Sequence, residues 1–239
     1  MLKAKGVGFS YSSEKGKLPI LSGLDLCVEE GEFLSILGPS GCGKSTLLRL
    51  LSGFILPKEG VITLRDRKVK GPSPEGQMIF QDPAQLLPWM TVEGNIRLSS
   101  TGDPPIMEEL LSLTGLLSYR KFFPHQLSGG LKQRTALARA LYANPSLLFM
   151  DEPFGSLDAP ARRGLQQLLL KVWKTRQVTI LFVSHDIGET LLLSDRILIF
   201  PGDGGAPFIQ KNPLPRPRDS SEEAFRRKQV RLYSLVDSL

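Results

Sequence analysis

An α/β fold interrupted by a helical lobe is what this sequence predicts, on three observations. Strand-like and helix-like segments alternate along most of the 239 residues, the pattern that builds a sheet covered by helices. A glycine-rich loop ending in Lys44-Ser45 follows directly on an apolar run at residues 33–37, and a helix-like stretch comes straight after it. The alternation then stops from about residue 83 to 126, where helix-like pieces and the break Thr101-Gly102-Asp103-Pro104-Pro105 stand without a convincing strand.

Taken in order, strands are expected at residues 7–11, 24–28, 33–37, 61–64 and 78–80, then at 147–150, 178–183 and 196–200. Each is short and either alternating or continuously apolar. The clearest helix is 159–176, in which Leu165, Leu168, Leu169, Val172 and Trp173 recur on one face. A proline- and charge-rich connection, Asn212-Pro213-Leu214-Pro215-Arg216-Pro217-Arg218, precedes a last helix with Phe225, Leu232, Leu235 and Leu239 on similar faces. The expected organisation is one domain over 1–239: an α/β core from 1–82 and 143–210, a helical subdomain at 83–142, and a tail with a helix at 211–239.

With 41% hydrophobic residues the chain can bury a substantial core. No apolar run approaches the roughly 18–20 residues of a membrane helix, and Met1-Leu2-Lys3-Ala4-Lys5-Gly6 leads into no signal-peptide pattern, so a cytoplasmic location is expected. Cys27 and Cys42 have neither metal-ligand spacing nor a nearby histidine, and read as two reduced thiols. A formal charge of +6 suits nucleic acid, an anionic nucleotide or an anionic membrane face, and does not choose among them.

The strongest signal is Gly38-Pro39-Ser40-Gly41-Cys42-Gly43-Lys44-Ser45-Thr46. Glycines let backbone wrap phosphate oxygens, the N–H groups and helix start supply positive potential, Lys44 adds charge near the β and γ phosphates, and Ser45 is placed to ligate Mg2+. A plain strand-to-helix turn does not need the Gly-Lys-Ser ending. A nucleotide with Mg2+ is therefore the expected ligand.

Downstream, the apolar run 147–150 delivers Asp151 and Glu152 at its end, where strand ends of an open α/β sheet meet the ligand crevice. Asp151 would orient Mg2+ and Glu152 would polarise the attacking water, since phosphoryl transfer needs alignment and charge stabilisation. On their own such carboxylates could be a solvated strand end; the upstream phosphate loop argues otherwise. These two motifs are shared by many NTPases and do not name the biological job.

Leu127-Ser128-Gly129-Gly130-Leu131-Lys132-Gln133-Arg134 narrows it. Ser128 can cap the following helix, and Gly129 and Gly130 expose backbone N–H groups at its positive end, a second anion site. This segment resembles the signature sequence of ABC ATPases, and the resemblance extends from about residue 7 to 200. It implies a P-loop NTPase core with an antiparallel β subdomain and an inserted α-helical subdomain. By the same resemblance Tyr11 stacks on adenine, Gln81 lies in the loop between lobes and joins the metal site, Ser156-Leu157-Asp158 is the D-loop with Asp158 near nucleotide, and His185 is the switch histidine. Singly, Tyr11 could be a strand aromatic, Gln81 a turn residue, Asp158 a helix N-cap and His185 a surface histidine.

The family works as head-to-tail pairs sharing each ATP. Lys44, Ser45, Gln81, Asp151, Glu152 and His185 then act from one subunit, and Ser128, Gly129 and Gly130 from the other. A homodimer is expected, hydrolysing ATP at the cytoplasmic face of the membrane beside separate permease subunits, with an extracytoplasmic substrate-binding protein in the full system and no nucleic acid. The segment Phe80-Gln81-Asp82-Pro83-Ala84-Gln85-Leu86-Leu87-Pro88-Trp89 resembles that of importers of nitrate, sulfonates, taurine and thiamine precursors. Leu86, Leu87, Pro88 and Trp89 either dock a permease helix or pack inside the lobe. Gly188 and Thr190 depart from the more usual Glu and Ala and are expected to weaken the helix after His185. The alternative, a soluble ABC ATPase of nucleic acid or the ribosome, usually carries tandem cassettes or a long coiled coil, which 239 residues do not accommodate.

Overall fold

The computed structural model describes residues 1–13, 16–81, 85–99, 104–201 and 206–237. In chain order the elements begin β1 (Leu2–Ser13), β2 (Gly16–Val28), β3 (Phe33–Leu37), α1 (Lys44–Leu51), β4 (Glu59–Leu64), β5 (Arg67–Lys68) and β6 (Gly76–Ile79). They continue α2 (Val92–Arg97), α3 (Pro104–Leu113), α4 (Gly129–Tyr142), β7 (Leu147–Asp151), α5 (Ala159–Arg176) and β8 (Thr179–Ser184). The chain closes with α6 (Ile187–Leu193), β9 (Arg196–Ile199), β10 (Phe208–Lys211) and α7 (Glu223–Asp237). They form two compact units, Met1–Pro72 with Thr179–Leu239, and Ser73–Val178.

In the first unit an antiparallel sheet runs in the order β2-β1-β4-β5. In β2, Leu24, Leu26 and Val28 are buried while Asp25 and Cys27 face outward, the period of a half-buried strand. β1 starts five residues before the expected strand at 7–11: Leu2 and Ala4 are buried, and Lys3 between them pairs with Asp66 at 2.8 Å. Beside this sheet in sequence, β3 pairs in parallel with both β8 and β9. All five residues of β3 and all six of β8 are buried, which is why these strands read as continuous apolar runs rather than alternating ones. Phe33 and Phe182 meet edge to face at 6.0 Å in this core.

β10 was not expected. It is a four-residue strand antiparallel to β9, too short and too mixed in character to stand out by periodicity. α7 lays Phe225 and Leu232 on a cluster formed by Leu37, Ile187, Leu191, Ile197 and Ile199, with Leu235 packed at its edge.

In the second unit β6 and β7 pair in parallel, and among the described residues from 85 to 146 there is no strand. α5 follows the expected face, with Leu165, Leu168, Leu169 and Val172 buried, and its last turn hands over to Gln177 in a left-handed conformation. Asp82, Pro83, Ala84, Thr101, Gly102, Asp103 and Leu239, which figured in the sequence reading, lie outside the described residues.

Candidate active site

The phosphate loop is built in the first unit. β3 ends at Leu37, α1 starts at Lys44, and residues 38–43 turn between them. The turn is pressed against its neighbours: a Cβ on Gly43, which sits at φ 103°, would lie 2.6 Å from Ile20 Cγ2, and one on Gly38 would lie 2.8 Å from Phe200 Cβ. Only glycine lets backbone pass there. Lys44 is buried, and its ammonium donates to the carbonyls of Gly38 at 2.8 Å and Pro39 at 2.7 Å, so the cation lies over the loop. Ser40 and Gly41 are exposed at the loop's tip, while Cys42, Gly43 and Ser45 are half-buried. Burial pushes the Cys42 thiol up, against the opposing pull of the Lys44 charge.

Tyr11 is brought to this loop by β1. Its hydroxyl lies 3.3 Å from Thr46 Oγ1, and its ring, 39% exposed, meets Phe9 edge to face at 5.0 Å. An accessible aromatic face beside the start of α1 can stack on a planar ring. His185 is exposed on the turn after β8. That turn is braced from within: the Ser184 hydroxyl donates to the buried Glu189 at 2.8 Å and accepts from the Asp186 N–H at 3.0 Å, while Asp186 caps α6 by accepting from the Glu189 N–H at 3.0 Å. The helix expected to be weakened forms nonetheless, with Thr190 fully buried and its hydroxyl donating to the Asp186 carbonyl at 2.8 Å.

The two carboxylates at the end of β7 belong to the second unit. Every residue of β7 is buried, which delivers Asp151, only 7% exposed, and then Glu152 at the strand's end. Glu152 stands at φ 43°, a left-handed conformation that strains a residue with a Cβ and recurs at functional sites. A Cβ placed on Gly155 would lie 3.5 Å from Gln81 Nε2 and 4.0 Å from Glu152 Oε2. The Gln81 amide and the Glu152 carboxylate therefore border one small space.

Gln81 is fixed by a residue to which the sequence reading gave no role. Gln133, buried on α4, donates through Nε2 to the Gln81 carbonyl at 3.2 Å, and Arg139 one and a half turns on donates to the Gln85 carbonyl at 2.8 Å. Its place in the quoted segment 127–134 was the only available signal. Ser128 does cap α4, its hydroxyl accepting from the Leu131 N–H at 3.4 Å. Gly129 and Gly130 are packed closely, with space for a Cβ limited by Leu157 at 3.4 Å and Ala161 at 3.1 Å. Asp158 Oδ1 accepts from the Ala161 N–H at 2.8 Å and so caps α5.

The apolar cluster after Gln81 splits. Leu86 is 3% exposed and belongs to the core, whereas Trp89 is 69% exposed. Asn95, fully buried on α2, holds this segment: it accepts from the Leu87 N–H at 2.7 Å and donates to the carbonyls of Leu87, Met90 and Thr91, each at 3.1 Å. Both cysteines are free, and among the described residues no helix is long and apolar enough to cross a membrane.

A glycine loop joining a buried strand to a helix, closed over by its own lysine, defines a phosphate-loop nucleotide-binding protein of the α/β class. The sequence profile of the family described as ABC transporter matches residues 21–155. The chain is 41% identical over 229 residues to the bicarbonate transport ATP-binding protein of Synechococcus elongatus, covering 91% of this chain and 82% of that one. It is 39% identical over 227 residues to the aliphatic sulfonates import ATP-binding protein of Bacillus cereus, covering 92% and 90%. Among solved structures it resembles a dimeric ATP-binding cassette in a post-hydrolysis state with ADP and phosphate, with a TM-score of 0.76 and 29% identity over 89% of this chain and 99% of that one. A cassette from Clostridium perfringens, part of an ABC transporter complex, matches with a TM-score of 0.80 and 26% identity over 99% and 97%. The chain belongs to the ABC transporter family and is an ATP-binding, ATP-hydrolysing subunit of it.

Proposed function

We propose that two copies of this chain enclose ATP between the phosphate loop of one and the Ser128-Gly129-Gly130 segment of the other, and that this closure powers the import of a small solute through a separate permease. The likeness to a dimeric cassette with ADP and phosphate, which this chain covers almost entirely, carries the reading.

In this site Lys44 and the loop N–H groups neutralise the phosphates, and Tyr11 stacks on the adenine. Ser45 offers a hydroxyl oxygen, Asp151 a carboxylate and Gln81 an amide oxygen, the hard donors that suit Mg2+. Bound there, Mg2+ supplies charge neutralisation at the transferring phosphoryl group. Glu152 orients and polarises the attacking water, with Gln81 beside it. His185 acts on the γ-phosphate side from its exposed turn, and Asp158 reaches the shared interface through the D-loop. The close backbone approach at Gly38 and Gly43 fits a cradle for phosphate oxygens.

The subunit sits at the cytoplasmic face of the membrane, where Trp89 and its neighbours receive a helix of the permease. An extracytoplasmic binding protein and the permease select the solute, and similarity to the bicarbonate and sulfonate proteins named above supports a small anion as that solute.

The test is ATP-dependent dimerisation of Glu152→Gln by size-exclusion chromatography with light scattering. With the water-polarising carboxylate gone, ATP stays uncleaved and dimers accumulate on adding Mg2+-ATP. Protein that binds ATP and stays monomeric overturns the shared-site reading.

A further inference from the structure

The segment after β10 carries no family motif, yet it grips the helix that follows His185. α6 has seven residues, under two turns, a length with little stability of its own in water. The carbonyls of its last turn have no intrahelical donors to satisfy them. The tail supplies those donors. Leu191 O accepts from Asn212 Nδ2 at 2.8 Å and from Arg218 at 3.0 Å; Leu192 O accepts from Arg218 at 3.3 Å; Leu193 O accepts from Arg216 at 2.5 Å. Just beyond, Ser194 O accepts from Asn212 at 2.9 Å and Arg218 at 2.8 Å.

This clamp is itself anchored. Asp195 accepts from Arg216 at 2.7 Å through Oδ1 and from the Phe33 N–H at 3.0 Å through Oδ2, and Phe33 begins the strand that leads into the phosphate loop. Two guanidinium groups at a helix C-terminus also oppose its negative end. Burial and the neighbouring Arg216 lower Arg218 to about 10, so it is charged at neutral pH. At 1.5 Å per residue α6 is only about 10 Å long. Its gripped end is therefore under two turns from the end that the His185 turn enters.

We propose that Arg218, with Asn212 and Arg216, is a positioning residue for His185: the tail fixes α6 and through it the reach of the switch histidine toward the γ-phosphate. The proposal rests on the reading of His185 given above.

Steady-state ATP turnover and ATP affinity of the full chain test it. Arg218→Ala is expected to lower kcat about tenfold, as small misplacements of catalytic groups do, with ATP affinity unchanged within about twofold because the phosphate loop supplies binding. Arg218→Lys, which keeps the charge and a donor nitrogen with three N–H groups, recovers most of the turnover. His185→Ala lowers kcat, and adding Arg218→Ala to it causes no further loss. Unchanged turnover in Arg218→Ala, a parallel loss of ATP affinity, or losses that multiply in the double variant overturn the proposal. Unchanged turnover in His185→Ala instead overturns the switch-histidine reading, and the clamp's catalytic purpose falls with it.

Discussion

Cys42 is the residue at which packing and chemistry are most easily separated. It sits inside the phosphate loop, half-buried, and its thiol is shifted upward by burial. Because the thiolate is the reactive form, alkylation by iodoacetamide is expected to be slow near neutral pH and to keep accelerating as pH passes the ordinary thiol value of 9.0. Once attached, the adduct occupies space that glycines on either side leave for phosphates. ATP affinity should fall at least about tenfold, equivalent to about 1.4 kcal/mol, and prior ATP binding should slow the reaction. Equilibrium nucleotide binding after mass-confirmed modification decides it; unchanged affinity removes Cys42 from the phosphate site.

Residues whose local setting depends on near neighbours were the ones legible in the sequence. Lys44 sits where a glycine turn enters α1, and Asp151 and Glu152 where the apolar run of β7 ends, so residue type and local structure coincide in short segments. Ser128 and Asp158 could be read as helix caps for the same reason. Gln133, Asn95 and Glu189 could not. Their partners are carbonyls, N–H groups and a hydroxyl that only folding brings near, and a buried Gln or Asn looks like any surface polar residue until its hydrogen bonds are drawn. The left-handed Glu152 was equally hidden, because nothing in a Glu between Asp and Pro announces a positive φ.

At the scale of elements, the described segment 87–91 before α2 is held by one buried side chain. Asn95 spends its amide on Leu87, Met90 and Thr91 from a fully buried position. Asn95→Ala leaves several of those groups without partners, each costing about 1–3 kcal/mol when buried. A loss of about 2–4 kcal/mol in urea unfolding is expected, along with faster hydrogen exchange at the Leu87 amide. A stability within 0.5 kcal/mol of wild type, the range typical of surface substitutions, would mean that water replaces the amide and that this segment is less fixed than its hydrogen bonds imply.

The strands show a parallel lesson. β3, β7 and β8 were found because burial on both faces leaves them continuously apolar. β10 was missed because four residues at a sheet edge carry too little pattern, and the first half of β1 because Lys3 and Lys5 mask the inward-facing Leu2 and Ala4. α6 holds together through a capping aspartate at one end and tail side chains at the other, so the Gly188 and Thr190 that lower its intrinsic propensity are outweighed by tertiary contacts.

For the whole molecule, the likeness to a cassette solved as a dimer with ADP and phosphate bears on the proposed pairing of two copies. On the proposed reading, the capped, glycine-bearing start of α4 in one subunit meets the nucleotide held on the phosphate loop of the other. Dimerisation of Glu152→Gln is therefore the measurement at this scale, since it reads assembly with turnover suppressed.

Trp89, 69% exposed at the tip of the segment that Asn95 fixes, has a consequence for watching this protein work. The chain has only two tryptophans, and the other, Trp173, is half-buried on α5. Indole emission moves to shorter wavelength when the ring leaves water, so the native protein carries its own optical sensor at the proposed docking face. Adding detergent-solubilised permease should shift its spectrum to the blue, and Trp89→Phe should abolish the change while leaving ATP binding intact. The proposed closure on ATP and reopening on hydrolysis could then be timed by stopped-flow fluorescence on an unlabelled chain, read as a shift in emission.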